Sequence, residues 1–326
     1  MQIGILGTGK IAVDHVAAFQ SLGHTVVAGC ATSSDSPRWR AFQEVASEAR
    51  FEPDGEALLG APDVDVIVTC LPWDVTERWL PCLLATQKPV LIEKPMALSS
   101  SAARNAMARP QSNLDNKIIG YNRRFYAPVR KLSERLQQGG LKSAEITISE
   151  ALTRLIKRHG RDVIDHVVVY SSSHTIDTAV YLLGALKPVH VYSYDEKRYP
   201  LPFRSLTGLL ETEGGVPVTL SINADNPVPI GIRFFFEDRT TWHLSPLERL
   251  VVYQGYEIKE PENNVRIRRY LPKPVLNCTV ETDLKPGFLE QARAFTTGVG
   301  REIAATPAES VELLCLVEKL YAAATA

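Results

Sequence analysis

The chain opens on a short run of strand formers, Gln2 to Leu6, which ends in Gly7-Thr8-Gly9-Lys10-Ile11-Ala12 and passes at once into a helical pattern from Ile11 to Leu22. This G-x-G-x-x-A turn constrains the fold more than any other feature of the sequence. The first glycine permits a tight turn, and the second lets a pyrophosphate approach the backbone. The small third position lets the helix pack on its strand, and the helix N-terminus favours phosphate charge. Two glycines can also serve as an ordinary turn. Their place between a strand and a helix favours a dinucleotide site built on Gly7, Thr8, Gly9, Lys10 and Ile11.

The same alternation continues along the next hundred residues or so. Strand-like runs at Thr25–Ala31, Val64–Cys70, Pro89–Ile92 and Lys117–Gly120 are separated by helical stretches at Pro37–Ala49, Thr76–Thr86 and Ser99–Ala108. That rhythm predicts a doubly wound parallel sheet covered by helices. Past Tyr121 it changes. A helix is expected at Ala127–Gln138, ending at Gly139-Gly140, then a strand at Ser143–Glu150 and a helix from about Ser172 to Leu183 with Gly184 as its C-cap. Residues 188–260 give a series of strand-like runs broken by Pro, Gly and Asn, among them Val189–Asp195, Ser205–Glu211, Val216–Asn223 and Gly231–Glu237, which predicts a mostly antiparallel sheet. Helices near Gly287–Thr297 and Pro307–Ala324 close the chain. At 326 residues the chain exceeds what one core usually serves. We therefore expect two domains, residues 1–120 and 121–326.

Ligands of an open α/β sheet bind at the C-terminal ends of its strands, so those ends carry the candidate site. After the second strand comes Ala31-Thr32-Ser33-Ser34-Asp35-Ser36-Pro37-Arg38. Thr32, Ser33 and Arg38 can bond a ribose 2′-phosphate, and no carboxylate sits at the strand tip, which favours NADP. Asp35, a few residues on, leaves NAD open. Leu71-Pro72-Trp73 follows the next strand, where Trp73 either flanks the cofactor or packs as an ordinary aromatic. Glu93-Lys94-Pro95 follows Val90-Leu91-Ile92 and puts Lys94 at a strand end, where an amine beside a nicotinamide can exchange a proton with substrate. Farther on, Tyr170, His174 and Asp177 stand at i, i+4 and i+7, one helix face if the helix begins early enough. Two readings of that face stand: an imidazole offered to a substrate hydroxyl, or a histidine satisfied by Asp177. Asn122, Arg123 and Arg124 follow the last parallel strand. The arginines either bind an acidic substrate or serve as a solvated charge and a structural link. Arg154, Lys157, Arg158, His159 and Arg161 form a basic stretch, read as a solvated loop or a phosphate contact.

Taken together, the glycine turn, Leu71-Pro72, Glu93-Lys94-Pro95, Gly120-Tyr121-Asn122-Arg123-Arg124-Phe125 and His174-Thr175-Ile176-Asp177 with Leu183-Gly184 make a specific set. The chain resembles the Gfo/Idh/MocA oxidoreductases, the family of glucose-fructose oxidoreductase and inositol dehydrogenase. The resemblance implies a Rossmann domain followed by an α+β domain whose large open sheet supports oligomer contacts, as a homodimer or homotetramer. It implies NAD(P)-linked hydride exchange at a carbinol or ketone carbon of a sugar, cyclitol or nucleotide-sugar. It also implies Lys94 as the catalytic lysine, preceding a Lys-Pro bond of the cis type, with His174 and Asp177 beside it. Two positions depart from the family pattern. Tyr170 stands where relatives often have aspartate, and Thr76 stands where they commonly have histidine. Hence two rival readings: reduction of an imine or enone, or a catalytically weak NAD(P)-binding sensor.

Composition excludes several other classes. A net charge of −1, from 36 basic and 37 acidic residues, provides no field for nucleic acid or an anionic membrane. No apolar run reaches the length of a membrane span. The five cysteines are scattered without metal-ligand spacing, so no metal is expected. With no leader-like pattern at the start, reduced thiols in a cytoplasm are expected.

Overall fold

The computed structural model describes residues 1–199, 203–262 and 266–323. The chain divides into two compact units that interleave along the sequence. One comprises Met1–Phe125, Val168–Ser173 and Thr282–Glu318; the other comprises Tyr126–Val167, His174–Glu281 and Lys319–Ala326.

The first unit is built on β1 (Gln2–Leu6), α1 (Lys10–Ser21), β2 (Thr25–Cys30), α2 (Pro37–Val45), β3 (Arg50–Glu52), α3 (Gly55–Gly60), β4 (Val66–Thr69), α4 (Trp73–Ala85), β5 (Val90–Ile92), α5 (Ser100–Met107) and β6 (Lys117–Ile119). Its six strands are all parallel, in the order β3-β2-β1-β4-β5-β6. The order reverses between β1 and β4, the switch point where such sheets bind ligands. Helices on both faces explain why β4 and β5 are buried at every position and read as uninterrupted apolar runs.

Local details depart from expectation for physical reasons. The helix predicted to Ala49 stops at Val45, because Ala46 leaves helical geometry at φ −124°, ψ 61°. The helix predicted from Thr76 starts at Trp73, on Pro72 as its N-cap, and it tolerates Pro81 in its interior. Strand β3 and helix α3 are absent from the sequence prediction, being three and six residues long. Asp54 makes α3 possible by accepting the Glu56 N–H at 3.0 Å.

The second unit comprises α6 (Ala127–Gln137), β7 (Leu141–Glu150), α7 (Leu152–His159), α8 (Ser173–Leu183), β8 (Leu186–Asp195), β9 (Arg204–Thr212), β10 (Pro217–Ala224), β11 (Gly231–Phe236), β12 (Thr240–Leu244), β13 (Arg249–Lys259) and β14 (Arg269–Thr279). Of these, Ser173 at the head of α8 belongs to the first unit. The eight strands run β14-β13-β12-β11-β7-β10-β9-β8, antiparallel throughout except for β7 beside β10. Strand β7 alternates strictly, burying Ala144, Ile146 and Ile148 while Glu145 and Thr147 stay half exposed. Glu145 lies directly opposite Arg233 of β11 and accepts from its guanidinium at 2.9 Å. Strands β12 and β13 fall within the stretch 188–260 expected to be strand-like, and β14 extends the sheet beyond it. From Tyr256 to Lys259 and from Arg269 to Val275 the β13–β14 ribbon is exposed on both faces, so no alternation marks it. The prolines Pro272 and Pro274 are accommodated because β14 is an edge strand.

Helices α9 (Phe288–Thr297) and α10 (Pro307–Ala323) close the chain, and the predicted end of α10 at Ala324 lies outside the described residues. No helix among the described residues is long and apolar enough to cross a membrane.

Candidate active site

The glycine turn closes against the strands that flank the switch point. The Gly7 N–H donates to Cys30 O at 2.9 Å, and its φ is +95°. A Cβ at Gly7 would stand 2.8 Å from Cys70 O, so only glycine fits. Gly9 differs: at φ −74° it is the N-cap of α1, and a Cβ there would meet nothing nearer than Cys70 O at 3.9 Å. No side chain caps this helix, so the first-turn N–H groups face an open approach over Gly9. An uncapped helix start above a glycine with free space beside it fits a pyrophosphate, and Thr8, Lys10 and Ile11 provide its backbone rim.

At the neighbouring end of β2, Thr32, Ser33 and Arg38 are exposed. Ser33 Oγ accepts the Asp35 N–H at 3.1 Å, and Ser36 caps α2 by accepting from Trp39 N. Carboxylates come from Glu52 at the end of β3 and Asp54 just after it. Burial, aided by the charges of Asp54 and Glu52, pushes the Cys30 thiol up to about 11.

At the end of β5, Lys94 begins a cis Lys94–Pro95 peptide. Its Nζ donates to Tyr170 O at 2.8 Å and stands 4.8 Å from the centre of the Tyr170 ring. The Trp73 ring lies 6.4 Å from that of Tyr170, so Trp73, Lys94 and Tyr170 make one cluster in the first unit. Leu71 and Pro72 lead into Trp73, and Thr76 turns its hydroxyl back onto Pro72 O at 3.0 Å.

Beneath Lys94 lies a buried carboxylate. Glu93 Oε1 accepts from His15 Nε2 at 2.9 Å, Glu93 Oε2 accepts the Lys94 N–H at 3.2 Å, and the Glu93 N–H donates to Thr69 Oγ1. His15, only 1% exposed, was not among the residues singled out from sequence. It lies on the apolar stripe of α1 with Ala12, Val16 and Phe19, and a polar residue on such a stripe was the available signal.

Asn122, Arg123 and Arg124 form a 3-10 turn after β6. Asn122 is buried and donates to Pro286 O at 2.8 Å; Arg124, 2% exposed, donates to Glu309 Oε1 at 2.8 Å. Burial would raise Glu309, but the charge and hydrogen bond of Arg124, with the N–H and hydroxyl of Thr306 donating to the other oxygen, together outweigh it and hold the carboxyl below its usual range. Arg123 is half buried.

Residues Val168–Ser172 form a π-helical turn ahead of α8. Tyr170 therefore sits in i→i+5 geometry, and the helical spacing read from sequence applies only from His174 to Asp177. In the second unit, His174 is half buried at the head of α8 and its carbonyl accepts from Thr178 Oγ1 at 2.8 Å, while Asp177 is 2% exposed.

Comparison with known proteins bears on this arrangement. Residues 1–115 match the family model of the Gfo/Idh/MocA oxidoreductases, described as an oxidoreductase family with an NAD-binding Rossmann fold. The inositol 2-dehydrogenase of Acidothermus cellulolyticus is 28% identical over 144 residues, covering 43% of this chain and 42% of the relative. The chain thus matches less than half the length of that dehydrogenase. The 4-carboxy-2-hydroxymuconate-6-semialdehyde dehydrogenase of a Sphingobium species is 24% identical over 251 residues, covering 74% of this chain and 78% of the relative. Among solved structures, the WlbA dehydrogenase of Bordetella pertussis in complex with NADH and UDP-GlcNAcA superposes with a TM-score of 0.71 at 14% identity, covering 100% of this chain and 96% of that one. This likeness extends the shared fold to the second unit.

Proposed function

We propose, for a chain whose residues 1–115 match the family model of the Gfo/Idh/MocA oxidoreductases, an NAD(P)-dependent dehydrogenase or reductase acting at a carbinol or ketone carbon of a sugar, cyclitol or nucleotide-sugar. One observation carries the reading. The glycine turn and Lys94 share the C-terminal edge of one parallel sheet, on strands β1 and β5, with β4 between them. Two strand spacings amount to about 10 Å, a span suited to a dinucleotide bound at the turn and reaching toward the lysine.

When bound, the nicotinamide supplies or accepts the hydride. The remaining chemistry is a proton at the substrate hydroxyl, which this chain's own groups must handle. Lys94 Nζ is the first candidate, because it is half buried and already held by a carbonyl oxygen that a substrate hydroxyl can replace. His174 is the second proton-handling group, with Asp177 orienting it. Tyr170 positions Lys94 and the substrate. Asn122 and Arg123 are assigned to substrate. Arg124, which is buried on Glu309, holds the turn that carries them. We assign residues 1–120 to cofactor and 121–326 to substrate and oligomer contacts, as a homodimer or homotetramer in the cytoplasm.

For the cofactor we favour NADP, because Thr32, Ser33 and Arg38 are exposed at the end of β2 and can bond a 2′-phosphate. The carboxylate of Asp54, which would favour NAD, is engaged in capping α3. Fluorescence titration of NADPH and NADH against the protein and Lys94→Ala tests the reading. Tight binding retained in the variant, with turnover of a sugar or nucleotide-sugar lost, is the expected result. Failure of the folded protein to bind either cofactor would overturn it. Unchanged turnover in Lys94→Ala would remove Lys94 from the reaction.

A further inference from the structure

The bed under Lys94 contains a titratable side chain to which the proposed reaction assigns no part. The His15 ring stands between Phe288, at 4.6 Å between ring centres, and Phe19, at 6.3 Å, with its Nε2 on Glu93 Oε1. Its Nδ1 is buried and has no hydrogen-bond partner among the described residues. A carboxylate can only accept, so Nε2 carries the proton toward Glu93. The second oxygen of Glu93 accepts the Lys94 N–H, at the start of the segment whose side chain reaches Tyr170 O. Gly120 closes the other side, where a Cβ would come within 3.1 Å of the Glu93 carboxyl carbon. Glu93 is thus held on three sides, by the His15 ring at one oxygen, the Lys94 N–H at the other and the close approach of Gly120.

We infer that His15 is a positioning residue for Lys94: by donating to Glu93 from within an aromatic clamp, it orients the carboxylate that anchors the Lys94 backbone, and so sets where the ammonium is presented. The inference rests on the role given above to Lys94. Its physical content, the placement of Nζ, can be measured without a substrate.

The test is competitive acetylation of lysines with acetic anhydride between pH 7 and 10, read by peptide mass spectrometry. It compares the protein with His15→Phe, which keeps the ring clamp and loses the donor, and with His15→Gln, whose amide reaches the same point as Nε2. In His15→Phe, Glu93 loses a hydrogen bond to its charged form, and the Lys94 labelling rate is expected to change roughly tenfold. The exposed Lys142 and Lys187 label as before. His15→Gln is expected to restore the original Lys94 profile. Should the larger ring of phenylalanine not be accommodated, His15→Leu gives the same comparison. Superimposable Lys94 profiles in the protein and a folded donor-less variant would overturn the inference, as would a His15→Gln profile that follows His15→Phe. Neither result depends on catalysis. A Lys94→Ala variant with full turnover would refute the role of Lys94 and leave the labelling result standing.

Discussion

Alanine at Gly7 and alanine at Gly9 should fail in different ways, although both replace a glycine of the same turn. At Gly7, φ is +95° and the new Cβ would sit 2.8 Å from Cys70 O and 2.9 Å from Cys70 C. A non-glycine residue in left-handed geometry costs about 1–2 kcal/mol, and forcing a methyl against backbone costs about 1–3 kcal/mol more. A total near 3 kcal/mol, at about 2–4 °C per kcal/mol for a domain of this size, lowers Tm by roughly 6–12 °C. At Gly9, φ is already −74° and the nearest atom is 3.9 Å away. The weaker N-cap costs about 0.5–1 kcal/mol, and the lost freedom of the unfolded chain returns about 0.4–1 kcal/mol, so Tm moves little. The methyl instead occupies the approach to the helix start and weakens cofactor binding. Thermal unfolding without cofactor, paired with NADPH titration, separates the two effects. Equal Tm losses in the two variants would refute the reasoning, and so would a Gly9→Ala protein that binds NADPH as tightly as the original.

Arg38→Ala is expected to weaken NADPH binding roughly tenfold or more while leaving NADH nearly unchanged, since it removes a charge-assisted bond to the 2′-phosphate; parallel titrations check this. Glu309→Gln should destabilise the protein by about 1–3 kcal/mol at pH 7 in urea unfolding. Because the carboxyl is held below its usual range when folded, that contribution is present above about pH 4.5 and is lost as pH falls through the lowered value, so the two proteins should converge once the pH lies below it. Burial pulls the Lys117 ammonium down to about 8 from 10.5, although it donates to Thr86 O and Lys88 O. Between those values the unfolded chain keeps a proton that the folded chain has released. The stability of the protein relative to Lys117→Met should therefore rise from pH 7.5 to pH 9.5 in urea unfolding, and a falling difference would contradict the assignment.

Most of the parallel sheet was legible because its strands are buried on both faces and so are written as unbroken apolar runs. Residues 3–6 of β1, Val66–Thr69 and Val90–Ile92 are of this kind. Strands β3 and β14 were not, for opposite reasons. Three residues are too few to show a period, and a ribbon exposed on both faces has no period to show. Around Lys94 the division falls within one residue. Its side chain could be placed at a strand end from Glu93-Lys94-Pro95 alone. Its acceptor could not, because Tyr170 lies 76 positions away and contributes a backbone carbonyl, which any residue carries. The π-helical turn at Val168–Ser172 likewise has no local signature and displaces Tyr170 from the regular helical face.

By itself the amino-acid order determined what depends on near neighbours: the turn at Gly7 and Gly9, the alternation of strands and helices, and the lysine at a strand end. Those features are set by backbone geometry and by patterns a few residues long. Tertiary structure alone decided which distant groups meet. Through it Cys70 O stands over Gly7, His15 reaches Glu93 across 78 positions, and Glu309 pairs with Arg124. Such contacts follow from how sheet and helices pack, and packing depends on the whole chain at once.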